Sequence, residues 1–168
     1  MRNLVLAVRK PESVSGLKAI ASRSSRTAWQ YGEVPMSPKR LIERFYHEVW
    51  NRADEVVARE ILHPEFCFRG SLGEEKRGPD GFITYLRMIH TALSKYTCTI
   101  EEIVEEGQRA AARMRFAGIH RGQFFGVAPS GREISWSGAA FFAIDGDKIT
   151  NLWVLGDIDS VKQQLGLG

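Results

Sequence analysis

The stretch Gly118–Arg132, which reads GIHRGQFFGVAPSGR, is the most informative part of this chain. It contains four glycines within 15 residues, together with one proline near its end. Glycine is the default residue where a backbone turns tightly or approaches another segment closely. Apolar and polar residues alternate with period two on both sides of the stretch, as in strands. We therefore predict a long glycine-rich connection, residues 122–131, between two neighbouring strands.

Eight positions of this stretch fit the signature G-x-H-x-G-x-F-x-G-x-x-P-T-G-R, and by them the chain resembles the SnoaL-like polyketide (ester) cyclases. Ser130 stands where that signature has Thr. The resemblance covers residues 37–166. It implies the α+β cone of the nuclear-transport-factor-2-like superfamily, in which a curved antiparallel sheet and three N-terminal helices enclose one apolar pocket. The fitting residues are Gly118, His120, Gly122, Phe124, Gly126, Pro129, Gly131 and Arg132.

Three helices are predicted before the strands. Ser37-Pro38 suits an N-cap followed by the first helical position. Asp54 is suited to cap a second, short helix, which His63-Pro64 stops because a proline disfavours helical geometry at the residue before it. The third helix runs from Gly78 to about Tyr96, with its apolar residues on one stripe.

Period-two alternation predicts the strands, and the turn residues between them predict antiparallel neighbours. Residues 74–77 read as a charged loop, and residues 160–165 as a final helical turn. Because the helices precede the strands, they have to cover one face of the sheet. The predicted strands are 65–69, 97–106, 109–121, 132–145 and 148–157.

Composition limits the other possibilities. The 168 residues are 43% hydrophobic and 26% charged, which is ordinary for one globular domain. No apolar run approaches the length of a membrane span. Cys67 and Cys98 lie among apolar neighbours, so we expect free thiols in a reducing, cytoplasmic setting with no metal site. The chain has no phosphate loop and no dinucleotide fingerprint, and we expect no cofactor.

Residues 1–36 differ from the rest. They hold six basic and two acidic residues, a net charge of +4, whereas the other 132 residues hold 17 basic and 18 acidic ones. Residues 37–168, the expected domain, therefore offer no basic stripe for nucleic acid. Three interpretations of the basic segment remain open: an extension upstream of a start at Met36, an organelle-targeting transit peptide, or an arm that packs on the domain or on a partner.

His120 is the first candidate for chemistry. It ends an apolar row beside the glycine-rich connection, where a histidine titrating near neutrality could exchange a proton with an enolisable carbon or a carbonyl oxygen. The alternative is that His120 orders the connection through a hydrogen bond to its backbone.

Asp157 is the second candidate. The segment from Ile149 to Gly166 resembles the family ending I-x-E-x-W-x-x-x-D-x-x-G-L-x-x-Q-L-G, although Asn151 replaces the acid and Ser160 the glycine. Asp157 either caps the final helical turn or pairs with His120 or an arginine at the pocket mouth. The other residues that match the ending are Trp153, Gln164 and Leu165.

The family resemblance also implies an aldol ring closure by an aspartate on the last strand and a histidine on the strand before it. Alignment on Asp157 and on Lys148-Ile149 places those two positions at Val154 and Ala140. Neither side chain can move a proton. The two positions therefore cannot perform the aldol ring closure of the founding cyclases.

Glu102 is the third candidate, as a replacement base. Strand parity places it in a row with Cys98, Ile100 and Val104, where desolvation would raise the pKa of its carboxyl. The alternative is a short or bulged strand that leaves Glu102 solvated among the neighbouring glutamates.

The remaining candidates are pocket walls, for which ordinary core packing is the alternative. Three hypotheses on function follow from the sequence. The first is a cofactor-free cyclase- or isomerase-type enzyme that acts on a small hydrophobic carbonyl compound such as a polyketide-like ester. The second is a binding protein that uses the same pocket, and the third is an assembly module. The superfamily resemblance implies a homodimer, for which Trp153 and Leu155 on the opposite sheet face are suited. The predicted wall residues are Trp136, Ala140, Phe142, Val154, Phe116, Tyr85, His90 and Phe124.

Overall fold

The computed structural model describes residues 36–168, so the basic segment, except Met36, lies outside the described residues. Ser37 caps the first helix by accepting a hydrogen bond from the Arg40 backbone N–H at 3.3 Å, and Asp54 caps the second by accepting from two backbone N–H groups at 3.0 Å. Both caps were predicted. The helices are α1 (Pro38–Arg44), which continues without a break as a π-helical segment (Phe45–Trp50), α2 (Glu55–Ile61), α3 (Gly78–Ala92) and α4 (Ile158–Leu165).

Six strands form one curved sheet in the order β2-β1-β6-β5-β4-β3. Neighbouring strands are antiparallel, with the exception of β1 and β6, which run parallel. The α+β class is confirmed, and the parallel pair is an addition to the antiparallel sheet that was predicted. The strands are β1 (Leu62–Arg69), β2 (Glu75–Arg77), β3 (Leu93–Glu106), β4 (Arg109–His120), β5 (Glu133–Asp145) and β6 (Lys148–Gly156).

Several predicted bounds were wrong. The predicted charged loop contains strand β2, which pairs with β1 after a turn. Strand β1 begins at Leu62, three residues before its predicted start, because Leu62 pairs with Ile149 of the distant strand β6. The third helix ends at Ala92 rather than near Tyr96. From Leu93 onward the chain pairs with β4 instead, and Lys95 adopts a φ of 50° where the register shifts between Ser94 and Thr97. Strand pairing overrides the helical periodicity there.

The two faces of the sheet follow the predicted alternation on β4, β5 and β6. On β4, Met114 and Phe116 are buried under the helices, whereas Arg113 and Arg115 are exposed on the outer face. On β3 the alternation fails. A bulge between Ile100 and Glu102 shifts the register by one residue, and every later side chain changes face.

The helices bury an aromatic core against the inner face of the sheet. Phe45 contacts Phe82 of α3 and Phe142 of β5, with ring centroids 5.3 and 6.0 Å apart. Two hydrogen bonds fix the end of the π-helical segment to β3: the Asn51 side chain donates to the Cys98 carbonyl at 3.0 Å and accepts from the Cys98 N–H at 2.7 Å. No helix within the described range is long and apolar enough to span a membrane.

Candidate functional site: an aromatic pocket

A pocket lies between the helices and the inner face of the sheet. It is narrow, with a cavity volume of about 30 Å³. Ser71 and Leu72, in the turn after β1, are partly exposed at its edge. Its walls come from every layer of the fold, including Trp50, Tyr96 and Leu152. Mostly apolar walls with a few polar groups are typical of small-molecule sites.

Five of the eight predicted wall residues line this pocket, namely Phe116, Trp136, Tyr85, Phe124 and Val154. The other three do not. Ala140 and Phe142 are buried in the core, and His90 is half-buried near the end of α3.

Phe142 packs edge-on against Phe45 and Tyr46 at 6.0 and 6.1 Å. Ala140 is fully buried on the same face of β5. His90 donates from Nε2 to the Trp50 carbonyl at 2.9 Å and stacks on the Trp50 ring, and burial lowers its pKa.

Tyr46 is a pocket residue that the sequence reasoning missed. It lies in the π-helical segment, where the Asn51 N–H bonds to the Tyr46 carbonyl five residues earlier. π-Helical turns occur frequently at functional sites. The segment places both Tyr46 and Trp50 on the pocket wall. The available signal was a phenol four residues after Ile42, on the apolar stripe of the first helix.

Two hydrogen-bond donors on the pocket wall have no partner. Across residues 36–168, three buried side-chain polar atoms lack one: Tyr46 Oη, Trp136 Nε1 and His120 Nε2. The first two belong to residues that line the pocket. Because more than nine in ten buried polar groups in proteins are paired, each unpaired one calls for an explanation.

The phenols of the pocket stay protonated at neutral pH. Burial raises the pKa of Tyr46 well above its ordinary value, and the neighbouring Cys98 adds to the effect. Burial also raises the pKa of Tyr96 and of Tyr85, and a backbone hydrogen bond with Leu72 offsets part of the rise at Tyr85. The pocket therefore presents hydroxyl donors rather than phenolates.

His120 is fully buried, but it is not among the residues that line the pocket. Its Nδ1 lies 3.1 Å from Ser130 Oγ and accepts from the Ser130 backbone N–H at 3.3 Å. Its backbone pairs with Arg132 and Gly131 at 2.9 Å. These contacts order the glycine-rich connection, which is the role that the sequence left open as an alternative for His120. An acid/base role for His120 stays a prediction.

The glycine-rich connection closes on α3. The backbone N–H groups of Arg121 and Gly122 donate to the Ala92 carbonyl at 2.9 and 3.0 Å. A Cβ on Gly122 would lie 2.4 Å from the Thr91 carbonyl oxygen, so only glycine fits. The tip then turns at Phe125, with a φ of 50°, and Phe124 reaches the pocket wall.

The two candidate carboxylates lie outside the pocket. Asp157 caps α4 by accepting from the Ser160 N–H at 3.0 Å, which was one of its two predicted roles. The prediction that Glu102 lies in an apolar row was wrong. The bulge before it turns its side chain outward, where it is 61% exposed and lies 3.4 Å from the Arg113 guanidinium.

A family model described as SnoaL-like polyketide cyclase matches residues 40–165, well over half of the chain. The chain belongs to the SnoaL-like polyketide cyclase family. No curated protein matches this SnoaL-like chain at a significant level.

Solved structures carry the same fold. TsrD from Streptomyces laurentii is 28% identical, with a TM-score of 0.69 over 77% of this chain and 95% of its own. IdmH from Streptomyces antibioticus, described as a candidate polyketide cyclase, is 24% identical, with a TM-score of 0.70 over 78% and 99%. A Catenulispora acidiphila protein with a ketosteroid isomerase-like fold is 13% identical, with a TM-score of 0.67 over 79% and 96%.

Proton-transfer groups are scarce in this SnoaL-like pocket. Among its lining residues in the described part of the chain there is no histidine and no carboxylate. Val154 lines the pocket and Ala140 lies behind it, at the positions where the family resemblance places an aspartate and a histidine. What the pocket offers instead is a set of neutral hydrogen-bond donors on aromatic walls.

Proposed function

We propose that this SnoaL-like protein is a cofactor-free cyclase- or isomerase-type enzyme that takes a small hydrophobic carbonyl compound into the aromatic pocket. The observation that carries the proposal is the pocket itself, with aromatic walls and no charged residue among the parts of residues 36–168 that line it. A charged ligand would lose its hydration there without gaining a counter-ion, so the ligand is uncharged. Membership of a polyketide cyclase family supports the same class of compound.

The proposed chemistry is enolisation followed by ring closure or isomerisation. A proton leaves the carbon next to the carbonyl, and negative charge develops on the carbonyl oxygen. Hydrogen-bond donors placed at that oxygen in a water-poor site stabilise the transition state. His120 is the predicted acid/base, with Asp157 as its supporting carboxylate; Glu102, on the outer face of the sheet, is no longer a candidate. His120 and Asp157 lie outside the pocket lining, so the experiment is directed at His120.

The test is exchange of the methyl protons of acetophenone for deuterium in D₂O, followed by NMR. We expect the protein to accelerate the exchange, and His120→Ala to abolish the acceleration while near-UV circular dichroism shows a folded protein. His47→Ala is the matched control, because His47 follows Tyr46 in the π-helical segment but is exposed and does not line the pocket. Unchanged exchange in the His120 variant would end its assigned role.

A binding role without turnover is the second candidate. The observation that favours it is the absence of histidine and carboxylate from the lining residues of the described chain. Saturable binding of acetophenone with no acceleration of its exchange would support this role over the enzyme.

We also propose that the outer face of the sheet joins two copies of the chain. Four apolar side chains on it are 38–59% exposed: Val104, Phe141, Trp153 and Leu155. Strand pairing places Val104, Phe141 and Trp153 in one row across the sheet, through Ala111. A contiguous apolar patch of this kind typically marks a protein interface.

The charges at the two ends of this row suit a second copy. Arg69 lies over the Trp153 ring at one end, 5.2 Å from its centroid, and Glu102 and Glu106 flank Val104 at the other. A two-fold axis parallel to the strands would bring opposite charges together.

Light scattering coupled to gel filtration tests this dimer. We expect Trp153→Glu to give a monomer, because it buries a charge in the interface. Val56→Glu is the control, since Val56 is an apolar residue, 76% exposed, that lies on α2 and not on the sheet. A wild-type monomer would overturn the proposal.

A further inference from the structure

We propose that Tyr46 and Trp136 together bind one hydrogen-bond acceptor of the ligand, so that the pocket selects uncharged compounds whose buried end carries a carbonyl oxygen. This inference rests on the proposed function, because it concerns the same pocket. It adds the two residues that recognise the ligand and the group that they recognise.

Burial makes the two donors costly unless a ligand pairs them. Tyr46 is 1% exposed and Trp136 is 7% exposed, and neither Tyr46 Oη nor Trp136 Nε1 has a hydrogen-bond partner within the described residues. Both side chains line one pocket, from opposite layers: Tyr46 from the helical layer and Trp136 from the inner face of β5. Because both donors line the same pocket, they face the ligand that occupies it, and an acceptor on that ligand is the partner each of them lacks.

The chemistry of the pair sets the polarity of the ligand group. An indole N–H donates and has no acceptor capacity. The Tyr46 hydroxyl keeps its proton, because burial holds the pKa of this phenol high. An amine or ammonium directed at Trp136 would face another donor, and no carboxylate among the lining residues would neutralise its charge. An oxygen acceptor is the group that fits.

The structure also leaves space beside the indole nitrogen. A Cβ built on Gly156 of β6 would lie 3.0 Å from Trp136 Nε1 and 2.6 Å from Ser71 Oγ. Any other residue at this position would crowd the donor. Glycine therefore keeps Trp136 Nε1 open to a partner from the pocket.

The same arrangement suits enolisation. When a proton leaves the adjacent carbon, the carbonyl oxygen gains negative charge, and hydrogen bonds from Tyr46 and Trp136 strengthen as the charge grows. The two donors bind and polarise the carbonyl; they do not remove the proton.

Two probes of nearly the same shape test the inference. Acetophenone carries the carbonyl oxygen, and ethylbenzene replaces it with hydrogens. Dissociation constants are measured by NMR titration for the full chain and for three variants: Tyr46→Phe, Trp136→Phe and Trp153→Phe. The last is the matched control, because Trp153 lies on the outer face of the sheet.

We expect the preference for acetophenone over ethylbenzene to fall about 5-fold in Tyr46→Phe and in Trp136→Phe, as the loss of one neutral hydrogen bond predicts. Trp153→Phe keeps the wild-type preference. If both probes bind and neither pocket variant changes the preference, this inference is wrong while the pocket remains the binding site. If neither probe binds the wild-type protein, the proposed function fails and the inference fails with it.

Discussion

Replacing Tyr46 by phenylalanine is expected to stabilise the protein when no ligand is bound. The substitution removes one buried hydroxyl that has no hydrogen-bond partner in the described residues. It keeps the ring, which packs edge-on against Phe45 at 5.2 Å and Phe142 at 6.1 Å. A buried polar group left unpaired costs about 1–3 kcal/mol. We therefore expect the free energy of unfolding to rise by about 1 kcal/mol or more.

Urea unfolding followed by tryptophan fluorescence measures this change, with the slope of the transition unchanged. In thermal unfolding the rise corresponds to about 2–4 °C for each kcal/mol in a chain of this size. Tyr85→Phe is the matched control. Its hydroxyl lines the same pocket but is not among the unpaired buried atoms of residues 36–168, so we expect this variant to show no such gain in stability.

A clear loss of stability in Tyr46→Phe would refute the reasoning, because it would show that the hydroxyl is paired in the free protein. The expected gain has a functional meaning. A buried hydroxyl that lowers the stability of the free protein is explained when it forms its hydrogen bond in the ligand-bound state. Functional residues commonly lower stability in this way.

Three further predictions concern the surroundings of the pocket. Asp157→Ala removes the cap of α4, and we expect urea unfolding to show a loss of about 1 kcal/mol. Gly122→Ala drives a Cβ against the Thr91 carbonyl, and a loss of about 2–3 kcal/mol is expected in the same assay; an unchanged midpoint would mean that the connection moves freely away from α3. Burial lowers the pKa of His90 below 6.5, so its contribution to stability is complete above pH 6.5 and is lost as the pH falls through the folded-state pKa. The wild-type protein should therefore lose stability between pH 7.5 and 5.5, with a smaller loss in His90→Gln and an unaltered one in the exposed-site control His47→Gln.

The sequence predicted the sheet well where one face of a strand is buried. Alternation along β4, β5 and β6 assigned Phe116, Trp136 and Val154 to the pocket side, because a strand with one buried face has a strict period of two. The caps at Ser37 and Asp54 were equally readable, since short polar side chains at helix starts satisfy backbone N–H groups locally.

The rest depended on tertiary structure. The run of glutamates left a bulged strand open as an alternative for Glu102, but the sequence could not assign the bulge, because register in β3 is set by pairing with β4. Tyr46 was missed for a similar reason, because a π-helical segment departs from the 3.6-residue period by which the buried face of a helix is predicted. His120 occupies the face that was expected, yet the neighbouring Ser130 backbone engages its ring.

The parallel pairing of β1 with β6 has a consequence for biosynthesis. Phe68 pairs with Leu152, and Arg69 with Trp153, across more than eighty residues of chain. On a translating ribosome, the β1–β2 hairpin emerges long before its sheet neighbour exists and has to wait for nearly the whole domain. A nascent chain arrested before Lys148 would hold the β3–β4–β5 meander complete and the pocket still without its β6 wall, so the pocket closes only after β6 has been made.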